Sequence, residues 1–358
     1  MTNINNKNAD PQKLTEFASR VLQKLGVPEN DAHTTARILV ATDLRGIESH
    51  GVAHLGPFYA RRIKEKLINP KPDIKLYSQS PATAVIDGDR GLGFVVGHRA
   101  MLEAIDRADV VGAGFVSVRN STHCGAGSIY ALMALTRSMI GISLTTGGIG
   151  MEVPGSRGRG AGINVISFAA PGAQEAPFVL DMATTVVAGG KLELALRAGH
   201  NIPAGWAVER SGSPITEPKR YYTDRGALLP LGGIPSLGSY KGFGLGVMVE
   251  ILCSLLSGAL PIPQIADQPD SEGRANHFFG ALKIDSFLPA EDFKKSLDAL
   301  IQTFHNLPKA EGVKNISLAG DMEYALEKER RQYGIPLHPS VIDSLQKLAE
   351  EYSLEFDI

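Results

Sequence analysis

The sequence predicts a mixed α/β protein: a helical N-terminal part rejoined by C-terminal helices, and between them a domain built on a mixed sheet. Three observations carry this. The first seventy residues repeat apolar side chains at helical spacing, the middle of the chain breaks into short apolar runs bounded by Gly or Pro, and the tail returns to helical periodicity. We therefore expect one unit over residues 1–75 and 290–358 and another over 76–289. At 358 residues with 43% hydrophobic, 21% charged and 39 Gly, the chain is long enough to bury a sizeable core and rich in tight backbone approaches.

In chain order, DPQKLTEFASRVLQKLGV sets Leu14, Phe17, Val21, Leu22 and Leu25 on one helical face, with Gly26 as its C-terminal stop. A second helix is expected from Pro28-Glu29 through Leu44, stopped by Gly46, and a third from about His50 to Leu67, ended by the prolines of INPKPD. TAVIDGDRGLG then reads as strand and turn, GHRAMLEAIDRADVVG as helix, AGFVSVRNS as strand and GSIYALMALTRSM as helix. IGISLTT, NVISFAAP and PFVLDMA read as strands, and YKGFGLGVMVEILCSLLSGAL as a long apolar helix with three glycines in its first turns. Beyond residue 290 come helices interrupted by KNISLAGDMEY.

Composition narrows the function classes. A formal charge of −2 without a basic segment argues against nucleic acid as a partner. The polar start MTNINNKNADPQ is not a signal peptide, and no apolar run is expected to reach membrane-spanning length, so we expect a soluble cytoplasmic protein. Cys124 and Cys253, far apart, fit reduced thiols.

The chemistry concentrates in DLRGIESHGVAHL, residues 43–55. Ser49 is placed to cap the third helix and His50 to sit in its first turn, where the helix dipole would lower the imidazole pKa toward a value useful for proton transfer. The plain alternative is a cap beside a surface histidine. His54, one turn on, invites a metal reading, but no third ligand or base stands nearby, and no metal is expected. In RNSTHCGAGSIY, His123 and Cys124 occupy a strand-to-helix loop, with Cys124 read as a packed thiol. FVLDMATT ends a strand in Asp181, which could orient a histidine or cap the next segment. The glycines at 91, 93 and 97 only approximate a dinucleotide fingerprint, and the next strand ends in Arg119-Asn120 where a ribose-binding carboxylate would stand, although that arginine could meet a 2′-phosphate.

Taken together, DLRGIESHG, RNSTHCGAGSIYA, FVLDMATT, IPAGWAVERSGSPITEP, LLPLGG and SYKGFGLGVMVEIL resemble, in order and over almost the whole chain, the malate/L-lactate dehydrogenase family that stands apart from the Rossmann dehydrogenases. That group includes sulfolactate and ureidoglycolate dehydrogenases, diketogulonate reductase and ketimine reductases. The resemblance implies a nicotinamide-binding fold of non-Rossmann topology, in which the Gly91 turn is structural, and a hydride transfer between NAD or NADP, with NAD slightly preferred, and a small 2-oxo or 2-hydroxy carboxylate. By the same resemblance His50 is the proton donor, supported by Ser49 and Asp181. Arg45 holds the substrate carboxylate, with His54 and His123 in the substrate pocket, and His123 is the rival proton donor. Asn164, Asp181, Met182, Ala183, Tyr240, Lys241, Gly242 and Gly320 contact the cofactor. A homodimer is implied. The chain departs from the pattern where Asn164 lacks a following proline, where Gly320 lies between Ala319 and Asp321, and where Gly147 replaces a small hydroxyl residue. Arg157 and Arg159 are candidate 2′-phosphate partners on charge alone. The alternatives are reduction of cyclic or N-alkyl imino acids, a Ser49-His50-Asp181 hydrolase, and a noncatalytic metabolite-binding descendant.

Overall fold

A computed structural model describes residues 7–358 except Gln79, so the first half of the polar start MTNINNKNADPQ lies outside the described residues. The first two helices form where expected. Asp10 accepts hydrogen bonds from the N–H groups of Gln12 and Lys13 and opens Pro11–Lys24, while Gly26 (φ 88°) and Gly46 (φ 76°) take the left-handed turns that end this helix and Glu29–Leu44. The expected third helix is broken instead. Residues 48–50 and 52–54 make single tight turns, 55–60 wind more loosely, and only Arg61–Lys64 is regular.

The physical cause of that break is Asp43. Its buried carboxylate accepts the Val52 N–H at 2.8 Å and fills the space beside Gly51, where a Cβ would stand 2.0 Å from Oδ1. Ser49 consequently caps no helix, which corrects the expectation drawn from the sequence. A three-residue turn also lacks the aligned peptides that would give His50 a dipole.

Seven strands form the main sheet, in the order Lys75–Ser78, Thr83–Asp87, Ala113–Thr122, Arg274–Lys283, Met139–Thr145, Val165–Ala170, Phe178–Ala183. Among these neighbours only Thr83–Asp87 and Ala113–Thr122 run parallel, so the topology is not that of a doubly wound Rossmann sheet. The strand Arg274–Lys283 escaped the sequence reading because both its faces are covered. Phe279 packs on Tyr130 (ring centroids 5.4 Å apart) in the larger core, whereas Phe278 joins Leu144, Val249 and Cys253 on the opposite face. Burial on two faces erases the apolar–polar alternation that marks a half-buried strand.

A second sheet of five short strands between residues 149 and 228 covers its own apolar cluster of Leu192, Ile202, Ile215, Tyr221 and Leu228. The chain ends meet: Lys7–Ala9 pairs antiparallel with Ile335–Leu337, and Phe17 packs edge-on against Phe356. Contrary to expectation, among the described residues one run, Ser239–Ser257, is long and apolar enough to cross a membrane by length and composition (19 residues, mean hydropathy 1.3, 33% of the window buried). Within it Glu250 is knitted into the fold, accepting from Ser254 Oγ and from the Ile262 N–H.

Candidate active site

Four segments converge on His50. The turn at 48–54 brings His50 and His54 side by side (ring centroids 6.1 Å apart, 25° between planes), and the loop after Thr122 stacks His123 against His50 (5.5 Å, 24°). Strand Phe178–Ala183 contributes Asp181, whose two oxygens accept from the Ser128 N–H (2.8 Å) and from Ser167 Oγ (2.7 Å). Gly190, opening the helix Gly189–Ala198, closes over Ser49; a Cβ there would come within 3.2 Å of the serine. Asp181 thus lends its charge to His50 and holds the helix start at Ser128, a segment that precedes it in the chain, rather than capping the segment after it.

The two histidines differ in protonation chemistry. Ser49 Oγ and His50 Nδ1 share a hydrogen bond of 2.8 Å, which leaves Nε2 as the atom that can pass a proton. Burial lowers the His50 pKa below its ordinary 6.5, and the Asp181 carboxylate opposes that shift by favouring the imidazolium. His123 is held neutral more firmly. Burial and the neighbouring His50, His54 and Arg62 push its pKa well below 6.5. Its Nδ1 accepts from the Gly125 N–H, so the Tyr59 hydroxyl, 2.7 Å away and itself pushed well above the ordinary tyrosine pKa by burial, is also a donor to Nδ1. The neutral ring then carries its proton on Nε2.

His123 lines a cavity of about 830 Å³ together with Phe58, Arg62, Thr146, Gly147 and Gly148. Sequence reasoning missed Phe58, Tyr59 and Arg62. A signal was present, since residues 50, 54, 58 and 62 recur every fourth position and would share one helical face. Arg45 is placed elsewhere. It ends the helix Glu29–Leu44, its side chain is 4% exposed, and Nη1 donates to Glu327 at 3.0 Å, a partner 282 residues distant in sequence. Burial pushes the Cys124 thiol up to about 12, in keeping with a packed, inert residue.

The glycine run 91–97 is filled by the protein itself. A Cβ on Gly93 would stand 2.0 Å from the Thr122 carbonyl oxygen, and Gly97 abuts Tyr130 and Phe279. Arg119 pairs with Asp87 at 3.0 Å rather than awaiting a phosphate, and Arg159 donates to the carbonyls of Tyr221 and Gly226, leaving exposed Arg157 as the uncommitted member of the candidate pair.

The remaining expected cofactor residues divide into two kinds. Buried Asn164 is a brace: its Oδ1 accepts the Gly147 N–H, and its Nδ2 donates to the Gly246 carbonyl, tying the cavity loop to the helix Ser239–Cys253. Gly242 and Gly320 are places where a Cβ would meet the backbone of Leu231 (2.2 Å) and the Val179 side chain (2.9 Å). By contrast, Tyr240 and Lys241 are exposed at the start of that 15-residue helix, next to Ser239, whose buried Oγ has no partner. Met182 and Ala183 are half-buried at the strand end. The N–H groups of Ser239, Lys241 and Gly242 are already taken by the carbonyls of Ile234, Gly238 and Leu231, so it is the unpaired hydroxyl and the exposed lysine that fit a nicotinamide dinucleotide's phosphates.

A profile of the malate/L-lactate dehydrogenase family matches residues 9–346. The chain is 41% identical to the malate dehydrogenase of Pyrococcus horikoshii over 344 residues (96% of this chain, 95% of the other) and 38% identical to the L-sulfolactate dehydrogenase of Methanocaldococcus jannaschii (97% and 98%). Its fold superposes on the crystal structure of delta1-piperideine-2-carboxylate reductase from Pseudomonas syringae pvar. tomato with a TM-score of 0.85 at 25% identity (96% and 100%). With His123 lining a cavity and His50 stacked against it, an exposed lysine at a helix start and this agreement over nearly its full length, the chain belongs to the malate/L-lactate dehydrogenase family.

Proposed function

We propose that the protein is an NAD(P)-dependent dehydrogenase that interconverts a small 2-hydroxy carboxylate of the malate, lactate or sulfolactate type and its 2-oxo acid, with NAD slightly preferred. The carrying observation is a stacked pair of histidines with different partners: His50 shares its Nδ1 with Ser49 and feels the Asp181 charge, whereas His123 Nδ1 accepts from Tyr59 and Gly125 and leaves Nε2 as a donor. When bound, nicotinamide supplies or takes the hydride. In the reducing direction His50 gives its Nε2 proton to the substrate oxygen, and Ser49 and Asp181 keep the ring oriented and its charged form accessible. His123, braced by Tyr59 and Gly125, donates a hydrogen bond from Nε2 to the same oxygen and polarises the carbonyl. Lys241, Tyr240, Ser239, Met182 and Ala183 hold the cofactor.

A second reading, reduction of an imino acid, is favoured by the likeness to the piperideine carboxylate reductase. One panel separates them: cofactor oxidation with NADH and NADPH, each offered pyruvate, oxaloacetate, sulfopyruvate, and pyruvate plus methylamine. Turnover without amine supports the 2-oxo acid reading and amine-dependent turnover the imine one. Cofactor binding without any turnover would fit a noncatalytic binder.

The working form we propose is a cytoplasmic homodimer. Leu255, Leu256 and Leu260 are 54%, 58% and 57% exposed at and beyond the end of the apolar helix, a patch suited to a second copy, and both cysteines are buried and unpaired, as a reducing compartment would keep them.

A further inference from the structure

We propose that Arg62, not Arg45, binds the substrate carboxylate, an assignment that rests on the 2-oxo acid reading above. Arg62 lies in the wall of the cavity that holds His123, and its side chain is 7% exposed. Nη2 donates to Glu272 at 2.8 Å, whereas Nε and Nη1 are buried without partners. A guanidinium stripped of water with two unfilled nitrogens is costly unless an anion completes it. Glu272 does not neutralise it fully, because the same carboxylate, 49% exposed, is shared with Arg61.

The surroundings are built to present this cation. The Phe58 ring lies 3.3 Å from Cζ and holds the guanidinium plane, and on the other side Gly273 leaves room, since a Cβ there would stand 2.9 Å from Nε. In a 2-oxo acid the carboxylate is bonded directly to the carbonyl carbon. The group that holds it must therefore adjoin the group that holds the oxygen, and Phe58, which carries Arg62, sits 5.0 Å from His123 between ring centroids. Of the other arginines, Arg45 donates to Glu327 and Arg274 to Asp270, each leaving one buried nitrogen, Nε, unfilled where Arg62 leaves two. Arg159 donates to backbone carbonyls, and Arg157, Arg210 and Arg225 are exposed.

The test compares wild type with Arg62→Gln, Arg62→Lys and, as a control that also loses a Glu272 partner, Arg61→Gln. KM for the 2-oxo acid and the dissociation constant of the inert analogue oxamate, read from the fluorescence of bound NADH, should rise on the order of 10²-fold in R62Q, the scale for losing one side of a buried charge pair. R62K should fall between, because lysine keeps the charge without the planar donors. R61Q should stay within about twofold of wild type, the small effect expected of an exposed ion pair, and NADH affinity should be unchanged in all three, which verifies folding. Unchanged oxamate affinity in R62Q, or an effect confined to kcat, would overturn the assignment. If wild type oxidised no cofactor with any 2-oxo acid, the functional reading would fail by itself. Oxamate binding lost in R62Q would then still uphold the carboxylate site, and absence of oxamate binding to wild-type holoenzyme would refute it.

Discussion

At the scale of single residues, the histidines of the proposed site owe their protonation chemistry to burial first and to charges second. His50 ionises below 6.5 because it is desolvated, and Asp181 pulls its pKa back up. In the proposed mechanism His50 must be protonated to reduce a carbonyl, so kcat/KM for reduction should fall as pH rises through that pKa, and oxidation should show the opposite trend. Asp181→Asn removes the carboxylate that favours the imidazolium, so the midpoint of the pH–rate profile should move further down; an upward shift would contradict this electrostatic account. His50, His123 and Asp181, which the structure brings together, could each be singled out in the sequence as candidates, because a Ser-His-Gly turn, a His-Cys loop and an acid ending an apolar strand are local patterns. The partner of Arg45 was not legible, because Glu327 comes from a helix near the other end of the chain and only folding joins them.

At the scale of elements, the turn that carries His50 exists because the helix is interrupted at Gly51, and Asp43 is the device that interrupts it. Burial raises the Asp43 carboxyl from 3.8 to about 7. An acid that binds its proton more tightly when folded contributes stability that is full below about pH 4 and is lost as pH rises toward about 7. Asp43→Asn should remove this slope, so the Tm of the variant relative to wild type should climb between those limits; a constant difference would refute the buried-acid reading. Gly51→Ala should cost about 1–3 kcal/mol by forcing a Cβ onto that carboxylate, read in a thermal melt. The sequence foretold the capped helices and most sheet strands through turn glycines and periodicity. It missed Arg274–Lys283, covered on both faces, and the small sheet, in which three of the five strands are two residues long and too short to show a period.

At the scale of the whole molecule, one sheet separates two environments. The larger core and the histidines are anchored to the helical part at both chain ends, while the glycine-rich helix Ser239–Cys253 packs Val249 and Cys253 on the other face and leaves an apolar surface outward. We expect Leu255→Asp with Leu256→Asp to yield monomers by sedimentation, with a normal melt, if that surface joins two copies. An unaltered dimer would place the interface elsewhere.

Under the proposed mechanism His50 passes the proton while His123 stays neutral and polarises the oxygen. This division is tested most directly by the rate of nicotinamide oxidation at saturating 2-oxo acid in His50→Asn and His123→Asn, with cofactor binding verified in each. His50→Asn should lower turnover by about two to four orders of magnitude with cofactor affinity kept, and His123→Asn by less. Loss on that scale in His123→Asn, with His50→Asn within a few-fold of wild type, would reverse the two roles.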